Sequence, residues 1–330
     1  MKKVLDQLFE NKTLSRIESK DILMKIAKGE YNLSQMAAFL TVFQLRNITI
    51  EELQGFRNAM LELCVPIDLS EFNTIDLCGT GGDGKDTFNI STLASFVVAG
   101  TGEKVAKHGN YGVSSTCGSS NILEYYGYEF SANQDKLKKE LGNAGICFLH
   151  APRFNPAMKN IAPVRKELGI KTFFNMLGPM VNPSMPNNQL IGVYSLELAR
   201  IYNYIYQNLG KRYTIVHSLD GYDEVSLTGD FKVLSQQTDA ILNPETIGLS
   251  KNSEKDILGG KTISKSAEIF LNILKGEGSL AQNNVVTANS GLALNCLYPQ
   301  LSLEQCIEKA KDSLLGKKAL RSFKNLMDKS

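Results

Sequence analysis

At Pro66 the periodicity of the chain changes, and that change limits the folds open to it. Before Pro66, apolar residues recur only at helical spacing. Ser15 and Glu18 have the capping-box spacing ahead of Ile22, Leu23 and Ile26. Ser34 is the expected N-cap of a helix carrying Met36, Phe39, Leu40 and Phe43. Thr49 and Glu52 repeat the box ahead of Leu53, Phe56, Met60 and Leu63. Pro66 then stops the last helix. Beyond it, short apolar runs alternate with helical patterns. Strands are predicted at 74–78, 104–107, 147–150, 189–194 and 213–217, with helices near 91–98 and 119–126 between the first of them. The tail reads as helices only, over 264–274, 278–296 and 303–314. Strands separated by helices pair in parallel, and a parallel sheet needs cover on both faces. The expected fold class is therefore α/β: a small all-helical domain plus a large α/β domain with a mostly parallel central sheet. The expected boundaries are 1–68 for the helical domain and 69–330 for the α/β domain. A helical insertion near 156–183 is expected to pack on the first.

Charge narrows the function. Lys and Arg number 36 against 34 Asp and Glu, for a net charge of +2, which argues against a dedicated nucleic-acid or membrane-surface binder. The six cysteines have no CxxC spacing and read as reduced thiols of a cytoplasmic protein, with a zinc site disfavoured. No run approaches the roughly 18 apolar residues that would span a bilayer, and MKKVLDQLFENK lacks the apolar core of a signal peptide.

Four stretches carry chemistry. In DLCGTGGDGKDTFNIST, Asp76–Thr92, a strand ends in glycines and a helix follows. Glycine admits positive φ and close backbone approach, and the helix N-terminus aims N–H groups and a positive dipole at one spot. That is an anion site, although the spacing is neither the P-loop nor the dinucleotide fingerprint. KHGNYGVSSTCGSS, Lys107–Ser120, repeats the strand–turn–helix pattern with a lysine and several serines. Two such loops at strand ends suit a ligand with more than one phosphate. The proline-rich stretch from His150 to Pro183 contains Arg165, whose guanidinium can fork onto a carboxylate. HSLDGYDEVSLTG, His217–Gly229, brings adjacent carboxylates Asp223 and Glu224, which suit Mg²⁺ beside phosphates. Taken singly, each has a plainer reading as a capped turn, a surface ion pair or solvated charge.

Together these stretches resemble the anthranilate phosphoribosyltransferases over essentially the whole chain. The motifs are GTGGD at Gly79–Asp83, NIST at Asn89–Thr92, KHGN at Lys107–Asn110 and SS-x-x-GSS at Ser114–Ser120. PVR at Pro163–Arg165, LGP at Leu177–Pro179 and DGYDE at Asp220–Glu224 follow in order. The resemblance implies transfer of a phosphoribosyl group from 5-phosphoribosyl-1-diphosphate (PRPP) to anthranilate, with Mg²⁺ as cofactor, in a homodimer formed largely through the small helical domain. It also implies a site. The PRPP residues are Gly79, Gly82, Asp83, Thr87, Asn89, Ile90, Ser91 and Thr92, then Lys107, His108, Gly109, Asn110, Tyr111, Gly112, Val113, Ser114, Ser115 and Ser119. The metal residues are Ser91, Asp223 and Glu224. The anthranilate residues are Gly79, Asn110 and Arg165, with His108 and Gly178 nearby. No residue is marked as a general base. Tyr111 stands where many members have arginine, and Asn155 where many have histidine. Two alternatives stay open at this point. One is a pyrimidine nucleoside phosphorylase, which resembles the same fold but lacks the Asp–Glu pair. The other is a non-catalytic, nucleic-acid-binding relative.

Overall fold

The computed structural model describes residues 1–112 and 116–328. The chain forms two compact units, Met1–Pro66 with Pro152–Pro183 and Ile67–Ala151 with Ser184–Ser330.

The first unit is helical. It contains α1 (Lys2–Phe9), α2 (Arg16–Ala27), α3 (Leu33–Leu45) and α4 (Ile50–Leu63). Ser15 with Glu18 and Thr49 with Glu52 form complete capping boxes. At α3 the cap is Asn32, not Ser34. Asn32 Oδ1 accepts from Gln35 N–H at 2.9 Å, and Gln35 Oε1 accepts from Asn32 N–H at 3.3 Å. The amide pair satisfies both orphan donors two residues earlier, which leaves Ser34 inside the first turn. The core of this unit is aromatic. Phe56 stacks on Phe173 at 4.3 Å, while Phe39 and Phe43 meet both rings edge-on. Phe173 comes from the second segment. Arg57 Nε donating to Met180 O at 3.3 Å and Asn160 Nδ2 donating to Ala27 O at 2.7 Å fasten the same segment to α4 and α2.

The second unit is a seven-stranded sheet. Its strands are β1 (Thr74–Gly79), β2 (Lys104–Gly109), β3 (Ile146–His150), β4 (Asn188–Gly192), β5 (Arg212–Ser218), β6 (Phe231–Ser235) and β7 (Asp239–Leu242), in the order β3-β2-β1-β4-β5-β6-β7. The first five pair in parallel; β6 and β7 are antiparallel. This hairpin was not foreseen, because its strands are only five and four residues long and β7 alternates exposed and half-buried residues. Helices α5 (Ile90–Gly100), α6 (Ser119–Tyr125) and α7 (Gln134–Ala144) connect the early strands. The long helix Leu280–Leu297 is buried along most of its circumference. A final helix, Lys318–Met327, lies beyond the predicted ones and packs Phe323 against Phe96 and Phe270. Among the described residues no helix is long and apolar enough to cross a membrane.

The strand order positions the site. From β1 the chain proceeds outward to β2 and β3, then returns to the other side of β1 for β4 and β5. The strand order therefore reverses between β1 and β4. At such a point the flanking connections diverge and leave a crevice at the carboxyl ends of the strands.

Candidate active site

Gly79 and Gly192 are register partners at the carboxyl ends of β1 and β4. Asp223 lies directly across them. A Cβ placed on Gly192 would meet Asp223 O at 1.6 Å, and one on Gly79 would meet Asp223 Oδ2 at 2.4 Å. The absence of side chains at both positions is what lets the 219–230 loop cross the sheet edge. That loop is held from two sides. Ser218 Oγ donates to Glu224 O at 2.7 Å. Asn289, on the long helix, accepts from Val225 N–H at 3.1 Å and donates to Val225 O at 2.8 Å. Asn289 is buried, so this two-point grip on the backbone is shielded from water.

The first glycine turn and α5 meet these carboxylates. Gly81 adopts φ +63°, and its N–H donates to Asp223 Oδ2 at 2.6 Å. Ser91 N–H, in the first turn of α5, donates to Glu224 Oε1 at 2.8 Å. Asp83 Oδ2 accepts from Asp223 N–H at 3.4 Å. Burial and then the neighbouring Asp83 charge push the Asp223 carboxyl well above its usual range; burial and then Asp223 do the same to Glu224. Acidic charge is thus concentrated where the helix dipole is positive. Lys107 lies beneath. Its buried Nζ donates to Leu77 O at 2.6 Å and to Ser91 Oγ at 3.4 Å.

The second loop is braced at both ends. Gly112 N–H and Gly118 N–H both donate to Asn121 Oδ1, at 3.0 and 2.9 Å. Asn110 O accepts from Ser119 Oγ at 3.3 Å and from Ser120 N–H at 3.1 Å. Tyr111 OH donates to Glu124 at 3.0 Å, and its ring stands edge-on to His150, 5.0 Å between centroids. Ser120 Oγ and His150 Nδ1 are 2.8 Å apart. His108 N–H donates to the buried Asp76 carboxylate at 3.1 Å. Asn89 Nδ2 donates to Cys117 O at 2.9 Å and ties the two loops together.

Several predicted residues take more specific positions than their motifs suggested. Ile90 and Thr92 are almost wholly buried, so neither presents its side chain to a ligand. Thr87 is bridged to Leu258, and Gly109 leaves no room for a Cβ beside Ser119 Oγ and the Phe148 ring. Val113, Ser114 and Ser115 lie outside the described residues. Arg165, Gly178 and Asn155 belong to the helical unit. Arg165 lies over the Phe174 ring at 5.1 Å and donates to Asn175 Oδ1 at 3.4 Å. Burial lowers its pKa. Asn155 is buried, and Gly178 caps the short helix Phe174–Leu177. Sequence reasoning missed Gly192, Asp76, Asn121 and Asn289. The one available signal was the run of buried polar residues in the otherwise apolar helix 280–297, since such groups need partners.

The residues suit magnesium. Asp223, Glu224 and Ser91 offer oxygen ligands, and crowded, partly buried carboxylates gain most from a hard cation. Among the described residues no three His, Cys, Asp or Glu side chains form a closed cage.

A helical unit, a switch-point crevice and two N–H-rich loops together define a glycosyl transferase of two domains. Residues 71–320 match the "Glycosyl transferase family, a/b domain" and residues 2–64 the "Glycosyl transferase family, helical bundle domain". Within that class the chain belongs to the anthranilate phosphoribosyltransferase family. It is 60% identical to the anthranilate phosphoribosyltransferase of Flavobacterium psychrophilum over 330 residues, 100% of both chains. It is 49% identical to that of Bacteroides thetaiotaomicron, over 99% of both. The crystal structure of the Thermus thermophilus enzyme superposes with a TM-score of 0.90 at 31% identity, covering 98% of each chain. The Saccharomyces cerevisiae enzyme in complex with PRPP and Mg gives 0.90 at 28% identity, covering 98% of this chain and 96% of that one.

Proposed function

We infer that the chain transfers the phosphoribosyl group of PRPP to the amino group of anthranilate. The products are N-(5-phosphoribosyl)anthranilate and pyrophosphate, and the step belongs to tryptophan biosynthesis. The observation that carries this reading is the passage of Asp223 and Glu224 over the β1–β4 switch point, against the N–H groups of a glycine turn and a helix start.

The reaction breaks the bond between ribose C1 and the diphosphate oxygen as the anthranilate nitrogen attacks C1. Positive charge gathers on the ribose and negative charge on the leaving group. Magnesium, when bound with the diphosphate, supplies charge against the leaving oxygens, and Asp223, Glu224 and Ser91 are the residues that would hold it. The two loops orient the ribosyl diphosphate, with N–H donors around its phosphates. An aromatic amine is neutral at pH 7, so attack needs no prior deprotonation, and the substrate's own ortho carboxylate can receive the proton afterwards. Arg165 reads that carboxylate, with Asn110 and Gly79 as further contacts. A desolvated guanidinium supports this role.

An assay of anthranilate fluorescence with PRPP, with and without Mg²⁺, tests the reading. Consumption that requires both is expected. Release of free base from thymidine or uridine by phosphate, with no anthranilate turnover, would replace it with phosphorolysis. In the same assay Arg165→Ala should raise the KM for anthranilate about 30-fold, the size of one lost charge-assisted contact. The KM for PRPP should stay nearly constant. Equal shifts in both would remove Arg165 from anthranilate recognition.

The helical unit supports a homodimer, since it exposes Phe9 at 63%, Ile17 at 81% and Leu45 at 83%. Light scattering should give twice the chain mass, and Leu45→Glu should lower it. A single-chain mass for the unmodified protein at micromolar concentration would count against the dimer. Six free thiols support a reducing, cytoplasmic setting.

A further inference from the structure

We propose that Asp223 and Glu224 make this cradle selective for cation-complexed diphosphate over free diphosphate, because the two carboxylates themselves hold the cradle's N–H donors. The proposal rests on reading the crevice as a diphosphate site. Gly81 N–H lies 2.6 Å from Asp223 Oδ2, and Ser91 N–H lies 2.8 Å from Glu224 Oε1. One belongs to the glycine turn and the other to the first turn of α5. These are the backbone donors that a strand–turn–helix motif presents to an anion. Each N–H has a single hydrogen, and here a side-chain carboxyl oxygen already accepts it. A phosphate oxygen can take that hydrogen only after the carboxylate releases it.

The backbone of the acidic loop cannot provide that release. The Asp223 carbonyl is pressed against Gly192, Ser218 Oγ holds Glu224 O, and Asn289 grips Val225 on both sides. What remains is rotation of the two side chains. Rotation alone would strip a buried carboxylate of its donor, which is unfavourable. Free diphosphate offers no compensation, since it brings further negative charge to a point already crowded by Asp83, Asp223 and Glu224. The buried Lys107 Nζ is already engaged by Leu77 O and Ser91 Oγ. A diphosphate that arrives with a divalent cation brings the partner that draws the carboxylates aside and leaves Gly81 and Ser91 N–H open to its oxygens. The same two residues that suit the cation thus also exclude the uncomplexed ligand.

Amide spectra of the ¹⁵N-labelled full chain test this with inorganic pyrophosphate and MgCl₂. The Gly81 and Ser91 signals should shift when both are present and stay in place with pyrophosphate alone. A shift with pyrophosphate alone would overturn the proposal. Calorimetry in EDTA gives a second test. The Asp223→Ala, Glu224→Ala double variant should bind pyrophosphate at least about tenfold more tightly than wild type, the size of one freed charge-assisted donor. The Asp223→Asn, Glu224→Gln variant loses the same charge but keeps an oxygen on each N–H, and should gain less than about threefold. Equal gains would assign the effect to charge alone and overturn the proposal. If the alanine variant does not fold, the wild-type spectra decide. Anthranilate turnover is scored separately. Turnover with pyrophosphate-only shifts sinks the selectivity and spares the function, whereas the expected shifts without turnover do the reverse.

Discussion

Gly192→Ala should lower kcat/KM by about 100-fold or more while the protein remains folded, the scale of a catalytic group misplaced by about 1 Å. The added Cβ would lie 1.6 Å from Asp223 O and 2.8 Å from Asp223 C. Both are backbone atoms, so no rotamer relieves the overlap. Gly192 itself has little freedom, because β4 is paired on both sides, to β1 and β5. The acidic loop must yield, and it yields at Asp223, since Ser218 Oγ and Asn289 anchor Glu224 and Val225 after it and Ser218 N–H holds Tyr222 O before it. Asp223 Oδ2 then leaves Gly81, and the Asp–Glu pair loses its relation to α5. Overpacking of this kind costs about 1–3 kcal/mol of stability, which a denaturant melt will register. Steady-state kinetics beside that melt decide the matter. An alanine variant with unaltered kcat/KM would show that the loop's passage over the strand end has no part in the reaction.

The second large effect is expected from Asp223→Asn combined with Glu224→Gln. The substitution keeps shape and hydrogen-bond acceptors but removes both charges. kcat/KM should fall by about 10²–10³, the usual loss when one electrostatic contact to a transition state is removed, and the Mg²⁺ titration should flatten. Stability should move the other way. Both carboxyls are pushed up in the folded protein, first by burial and then by like charge. Their ionised forms therefore oppose folding. The native state is favoured most below the ordinary carboxylate range and is progressively destabilised as pH rises through the raised values. At pH 8 the neutral variant should melt at the same temperature as wild type or higher. Lost activity with retained or increased stability is the mark of a functional acid pair. A variant that keeps its rate and metal response would reduce the pair to solvated charge.

Much of the fold was legible locally. Capping boxes at Ser15 and Thr49 announced α2 and α4, and period-3.6 apolar residues filled in their buried faces. At α3 the expected cap, Ser34, was wrong: Asn32 caps the helix through its reciprocal pair with Gln35. The edge hairpin β6–β7 escaped notice because its strands are only five and four residues long, too short for a clear period-2 pattern. The glycine loops and the Asp223–Glu224 dipeptide were readable as chemistry because a strand end, a turn and a helix start lie within a few consecutive residues.

Gly192 and Asn289 were not readable in this way. Nothing in Gly192-Val193-Tyr194-Ser195 signals that the loop around Asp223 will cross over it, and nothing beside Asn289 points to Val225, 64 residues away. Such roles arise only when β4 is laid against β1, which reverses the strand order and brings the glycine turn after β1, the start of α5 and the Asp223 loop together. By itself the sequence determined the capped helices and the first five strands, and which residues carry charge, hydroxyls and glycine, since these follow from short-range sterics and periodicity. Which N–H meets which carboxylate was decided by tertiary structure alone, because those contacts join residues far apart in the chain and exist only once the sheet has assembled.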